Sequence, residues 1–377
     1  MAARLTQAIV IEEPRRIRLI EIELDDPGPG EVEVQIVSAG VCGSDLHVFR
    51  GDWELHYPMV MGHEGAGYVT KVGPGVQNLA IGDAVVLSWN APCRQCRMCR
   101  SAKPYACELA AAYLDEGGFL FDGTTRFHND GKPVHHYLGV SSWSEFVVVP
   151  ATGAIKVCAE INLAHAALAG CALATGIGAV RNTAAIPAGS RVLIIGCGGV
   201  GLSCVQGARM SKAEIIVTTD KDPPRLELAR QLGATSTHET DNEILNQLAV
   251  HYPGGFDAVF DAVGSINTME MGLKLLAPAG SLVIVGLTPV GSRLMVDPLA
   301  LAMANQRILG SNYGSIDPAV DIPVIIDAIA NGVVDVVPLV SAELPLGEAA
   351  LALENLAKGM GLRQLLIPTT ANASPAP

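Results

Sequence analysis

Positive charge is scarce in this sequence: 25 Lys and Arg stand against 38 Asp and Glu, for a formal net charge of −13. Such a chain repels phosphate backbones and anionic headgroups, which argues against nucleic acid or membrane as partner and favours a small ligand at a local site. Long apolar runs are missing too. The most membrane-like stretch, Ala166 to Val180, is too short for a bilayer and is broken by Gly170, Thr175, Gly176 and Gly178, so it reads as a buried helix and loop. The first residues carry Arg4, Glu12 and Glu13 with no apolar block between them, so no secretory leader is expected. No internal repeat is visible. Only the small, proline-rich tail Ala371 to Pro377 has the composition of a frayed end. The 9 cysteines cannot all pair, and four crowd between Cys93 and Cys107. In a chain without a leader that pattern points to metal and to a reducing cytoplasm.

What is present suits two globular domains. The chain has 377 residues, 49% of them apolar and only 17% charged, and single hydrophobic cores stop growing near ~250–300 residues. Gly and Pro punctuate the first part, where Val32, Val34 and Ile36 alternate with Glu31, Glu33 and Gln35, a strand pattern in a mainly β region. Beyond position 190 the texture changes. Apolar strands at Val192–Ile195, Ile215–Val217, Ala258–Phe260 and Leu282–Val285 alternate with helical segments such as Arg225–Leu232, the signature of a parallel sheet with crossover helices. Helices near Val324–Ala330 and Gly347–Lys358 and a closing strand, Gln364–Ile367, are expected to return to the first domain.

Gly196, Gly198 and Gly201 form G-x-G-x-x-G directly after an apolar strand and before a helical stretch. In that context the glycines allow a tight turn, close approach of a pyrophosphate and close helix–strand packing, with phosphate at the positive helix end. Asp220 follows about 20 residues on, at the end of the next strand. Its carboxylate can accept from an adenosine ribose and would repel the 2′-phosphate of NADP, so NAD is expected.

Cys93, Cys96, Cys99 and Cys107, spaced C-x2-C-x2-C-x7-C, can fold four thiolates around one tetrahedral zinc. Four sulfur ligands leave no open position, so that zinc is structural. The interleaved Arg94, Arg97, Arg100 and Lys103 read as a solvated basic face.

Upstream, Cys42-Gly43-Ser44-Asp45-Leu46-His47 and Gly62-His63-Glu64-Gly65 bring a thiol, two imidazoles, a hydroxyl and two carboxylates into the β-rich region. Each has an ordinary core reading by itself; their conjunction ahead of a dinucleotide motif does not. Here the sequence resembles the zinc-containing medium-chain alcohol dehydrogenases, from about Gln7 to Ile367. Gly62-His63-Glu64 followed by Gly67, Gly73 and Val76 matches the family's zinc signature, and the four-cysteine lobe, the glycine motif and Asp220 follow in family order.

The resemblance implies an α/β protein in which residues 1–172 and 313–377 form a GroES-like, mainly β catalytic domain. Residues 173–312 then form a doubly wound, six-stranded parallel Rossmann domain for NAD. It implies two zinc ions per subunit, the catalytic one held by Cys42, His63 and Cys171 with Glu64 close behind it or a transient ligand, and Asp45 orienting His63. Cys171 enters only by resemblance, since unaided reading gives a buried structural cysteine. Ser44 and His47 would relay the alcohol proton to water. Thr175, Gly199, Val200, Arg225, Val285 and Arg363 would join the glycines and Asp220 in holding the cofactor, and Trp53 and Trp89 would line the alcohol pocket.

Two departures stand out. Gly43 replaces a basic residue that several relatives set against the pyrophosphate. Glu108 to Ala112 lacks the arginine with which glutathione-dependent formaldehyde dehydrogenases hold glutathione, so that activity is not expected, although the long insert Asp115 to Tyr137 resembles that branch. The expected reaction is reversible hydride transfer between NAD and a primary or aromatic alcohol or its aldehyde, in a homodimer or homotetramer. A polyol or sugar dehydrogenase of the same superfamily shares both cofactors, and a zinc-stabilised binding module is the non-enzymatic alternative. A zinc-free quinone reductase would not need Cys42 and His63 together.

Overall fold

The computed structural model describes residues 4–158, 161–241 and 243–369, so the tail from Ala371 lies outside the described residues. The chain divides between Cys171 and Ala172, and again between Ile316 and Asp317, into two compact units.

The central unit is a six-stranded sheet, every neighbouring pair parallel. Its order is Ser236–Glu239, Ile215–Asp220, Arg191–Ile195, Phe256–Asp261, Leu276–Ile284, Arg307–Gly310. Counted along the chain this is 3-2-1-4-5-6, the doubly wound nucleotide-binding order. The inner strands are legible as apolar runs because helices cover both faces: Val192, Leu193, Ile194, Val217, Val259 and Leu282 are all fully buried. The edge strands Ser236–Glu239 and Arg307–Gly310 are short and half-exposed, the first polar and the second apolar only at Ile308 and Leu309, so neither carries such a run.

In the other unit, strands Arg4–Glu13, Arg16–Leu24, Phe127–Asn129, Lys132–His136 and Met59–Val60 close a small barrel. A seven-stranded sheet lies alongside, with Glu31–Val41 near its centre. The alternation in that strand marks it correctly, yet its polar face is not a wet one: Glu31, Glu33 and Gln35 are buried with the valines. Buried charge needs a partner. Glu33 has Lys71 at 2.8 Å and Arg4 at 3.3 Å, and Glu31 has Arg126 at 2.8 Å.

The C-terminal segment returns to this unit. Its helix runs Pro318–Ala330, starting earlier than the apolar run from Val324 suggests, because the Asp317 carboxylate accepts from the Ala319 N–H and Pro318 takes the first-turn position that needs no donor. After the helix Ala349–Ala357, the closing strand Arg363–Ile367 pairs antiparallel with Glu31–Val41, setting Gln364 opposite Val41. That pairing carries Arg363 to the end of the strand that delivers Cys42. Among the described residues no single helix is long and apolar enough to cross a membrane.

Candidate active site and metal centres

Cys42, His63 and Cys171 come from three separate places in the chain. Cys42 ends the strand Glu31–Val41 and caps the helix Gly43–Arg50, His63 lies in the turn before the strand Gly65–Val72, and Cys171 closes a 3-10 turn at Ala167–Gly170. Gly62 makes that turn with φ +90, a conformation that favours glycine, and a Cβ there would strike Trp143. The three donor atoms lie within 4.8 Å of one another, all buried, with Cys171 Sγ 3.4 Å from His63 Nε2. Sulfur and nitrogen sharing one tetrahedral zinc stand about 3.5 Å apart, given bonds of ~2.3 and ~2.0 Å. The donor set therefore fits zinc, and three protein donors leave a position for substrate, as in catalytic sites.

The surroundings match that use. Asp45, fully buried in the first turn of Gly43–Arg50, accepts from the Cys42 N–H at 2.8 Å through one oxygen and lies 3.0 Å from His63 Nδ1 through the other. It thereby aims Nε2 at the cluster. Burial pushes the His63 imidazolium down, but the charge and hydrogen bond of Asp45 outweigh it and hold the ring well above its usual range. Cys42 is held well below the usual thiol range by a hydrogen bond from Cys171, with Arg363 and His63 adding to it against the cost of burial. Arg363 is 4% exposed, donates from Nη1 to the Val41 carbonyl at 3.3 Å, and acts electrostatically on Cys42, Glu64 and Cys171. Glu64, fully buried, packs its carboxylate over Gly40, where any Cβ would displace it.

Ser44 and His47 share the helix Gly43–Arg50 one turn apart, with no hydrogen bond between them among the described residues. His47 Nδ1 lies 2.8 Å from Asp52 and its ring stacks on Trp53 at 5.1 Å, so Trp53 backs the imidazole, and Nε2 is the nitrogen left to exchange a proton. Trp89 is half-buried after the strand Ala84–Leu87 and packs on the apolar core. Sequence reasoning missed Tyr137. It is 2% exposed and its ring stands edge-on to His63 at 5.4 Å, yet only the length of the insert around it is visible in the sequence.

The four-cysteine lobe fits a second zinc. Cys93 and Cys99 sulfurs are 3.9 Å apart and Cys96 and Cys107 sulfurs 4.0 Å, against about 3.8 Å for the edge of a tetrahedron with ~2.3 Å bonds. Backbone N–H groups of Cys93, Cys96, Cys99 and Ala110 donate to these sulfurs, the polarity thiolates need. The basic residues are partly engaged: Arg94 forms a bidentate pair with Asp317 at 2.7 Å, and Arg97 meets Glu108 at 3.2 Å.

In the central unit Gly196 ends the strand Arg191–Ile195 at φ +94, and Gly198 caps the helix Gly199–Met210, which carries Val200 and Gly201 in its first turn. A Cβ on Gly201 would collide with the Gly196 carbonyl, so helix and strand close only around glycine. Asp220 accepts from the Cys197 N–H at 2.6 Å and the Asp222 N–H at 2.9 Å, which ties the end of its strand to the glycine turn. Arg225 pairs with Asp222 at 3.1 Å. Val285 follows the strand Leu276–Ile284, its N–H donating to the Asp261 carbonyl at 3.0 Å, and Thr175 is half-buried on the helix Ala172–Gly178.

Comparison with known proteins agrees with this geometry. Residues 28–159 match the family model of the alcohol dehydrogenase GroES-like domain, and residues 199–331 that of the zinc-binding dehydrogenase. Among curated relatives, the S-(hydroxymethyl)glutathione dehydrogenase of Synechocystis is 34% identical over 364 residues, 95% of this chain and 98% of that protein. Its counterparts in Escherichia coli are equally similar. A solved alcohol dehydrogenase zinc-binding domain protein from Burkholderia ambifaria superposes with TM-score 0.93 at 31% identity, covering 97% of this chain and 99% of that one. Benzyl alcohol dehydrogenase from Acinetobacter calcoaceticus gives 0.90 at 27%, with coverage of 97% and 99%.

Proposed function

The chain belongs to the zinc-type alcohol dehydrogenase family, and from that premise we propose that it is an NAD-dependent enzyme interconverting a primary or aromatic alcohol and its aldehyde. The observation that carries the reading is the buried Cys42, His63, Cys171 cluster, with donor spacing for zinc and a coordination position to spare. Zinc there would supply acidity, since it lowers the pKa of bound water from 15.7 to about 7 and should act comparably on an alcohol. NAD, held at Gly196–Gly201 with Asp220 selecting its ribose, would accept the hydride.

The chain's own residues then have separable tasks. Asp45 fixes the tautomer of His63, and the buried Arg363 guanidinium favours the thiolate form of Cys42 that a metal would need. Ser44 accepts the alcohol proton first and His47 passes it to water, with Asp52 on Nδ1 keeping Nε2 as the exchanging atom. We place the enzyme in the reducing cytoplasm.

The names of the 34% identical relatives favour a second reading, oxidation of a glutathione adduct. Against it, the segment from Glu108 to Glu116 carries only Glu108, Asp115 and Glu116 as charges, so glutathione's carboxylates would meet repulsion there.

Counting zinc per chain and following NADH absorbance across a panel of alcohols tests the proposal. Two zinc ions with turnover are expected, and Cys171→Ala should retain one zinc and lose activity by several orders of magnitude. One zinc and no turnover in the wild type would overturn it.

A further inference from the structure

The insert contributes polar atoms that this chemistry does not use. The Tyr137 ring packs edge-on to His63, and its buried hydroxyl has no hydrogen-bond partner among the described residues. Asp115 likewise has a buried carboxylate oxygen without a partner. It lies in the π-helix Ala110–Glu116, a rare geometry that recurs at functional sites. The two segments are laced together: the Phe119 N–H donates to the Tyr113 carbonyl at 2.9 Å, the His136 N–H to the Gly118 carbonyl at 2.8 Å, and Leu114 packs where a Cβ on Gly139 would sit. Leu114, next to Asp115, meets the backbone two residues beyond Tyr137, and the charges of Asp45, Cys42, Cys171 and Asp115 all act on the Tyr137 hydroxyl. Buried polar groups are almost always satisfied, and an unsatisfied phenol whose ring packs on His63, with an unsatisfied carboxylate oxygen on the segment laced to it, calls for a ligand group.

We propose that Tyr137 and Asp115 form a polar subsite that reads a second hydroxyl on the substrate, Tyr137 donating to its oxygen and Asp115 accepting from its proton. The inference rests on the dehydrogenase reading of the neighbouring site and narrows it to primary alcohols, aliphatic or aromatic, that carry another hydroxyl. An apolar alcohol would leave both protein groups desolvated and unpaired, which is the physical basis of discrimination.

The test compares benzyl alcohol with its ring-hydroxylated isomers, and pentan-1-ol with the pentanediols. Dissociation constants come from calorimetry on the zinc-loaded protein, and kcat/KM from NADH absorbance. At least one hydroxylated member should bind about tenfold more tightly than its parent. That ratio should collapse toward one in Tyr137→Phe and Asp115→Leu, and survive in Asp115→Asn, whose amide still accepts. Zinc content and circular dichroism verify each variant's fold; if Asp115→Leu fails to fold, Tyr137→Phe, which removes a single oxygen, decides. A wild-type ratio near one, or a ratio unchanged in Tyr137→Phe, overturns the subsite. Binding preference without turnover of any alcohol would instead overturn the dehydrogenase reading and leave the subsite standing.

Discussion

Asp115 is held in a place that does not suit its charge. Burial, with Glu116 adding repulsion, raises its carboxyl from an ordinary 3.8 to about 7. Between pH 4 and pH 7 the unfolded chain gives up this proton while the folded one keeps it, so folding stability falls as pH rises through that window. The penalty is complete above pH 7. Asp115→Asn should therefore raise stability by a few kcal/mol at pH 8 and change it little at pH 4; denaturation midpoints of both proteins across that range check it. A residue tolerated at such a cost is one whose value lies outside stability. His47 makes the complementary point: its exposed ring is oriented by Asp52 and Trp53, and neither neighbour shows in the Cys42–His47 motif that singled the histidine out.

At the scale of elements, the glycine turn and the strand Ile215–Asp220 work as one device. Asp220 is bound to the glycine turn by the Cys197 N–H and braced at the end of its own strand by the Asp222 N–H, so its carboxylate is fixed in advance, where the ribose of the proposed NAD would meet it. Asp220→Ala should weaken NAD about tenfold and raise the NADP to NAD ratio of kcat/KM by at least as much. Steady-state kinetics with both cofactors checks it, and an unchanged ratio would assign the carboxylate to the turn alone. The helix Gly43–Arg50 is a second such device, since its capping residue is the candidate metal donor Cys42, its first turn holds Asp45, and its next turn holds His47.

At the scale of the whole molecule, the central unit carries several exposed large apolar side chains just ahead of its edge strand in the sequence. Val290, Met295, Leu299 and Met303 are 89%, 82%, 70% and 76% exposed, and the sheet edge Arg307–Gly310 follows them directly in the chain. An exposed apolar stretch next to an open strand edge is a place for another chain to pair. We expect a homodimer or homotetramer built through it, and Met295→Glu with Met303→Glu should shift the mass measured by light scattering toward the monomer. A wild-type monomer at micromolar concentration would refute this.

Some of this protein could be had from the sequence alone. Local physics determined the inner parallel strands, whose double burial demands unbroken apolar runs, the glycine turn, whose spacing answers to one backbone geometry, and the four-cysteine lobe, whose ligands lie within one short loop. The edge strands are too short and too exposed to leave an apolar run, and the burial of Glu31 and Glu33 left no mark because their partners Arg4, Lys71 and Arg126 are far away in the chain. The same reason governs the active site. Cys171 is one buried cysteine among several until folding sets its sulfur 3.4 Å from His63, and Tyr137 acquires meaning only when its ring comes edge-on to that histidine. Spacing along the chain can announce a site whose ligands are neighbours in sequence; one assembled from distant segments exists only once the sheet and barrel that carry them have closed.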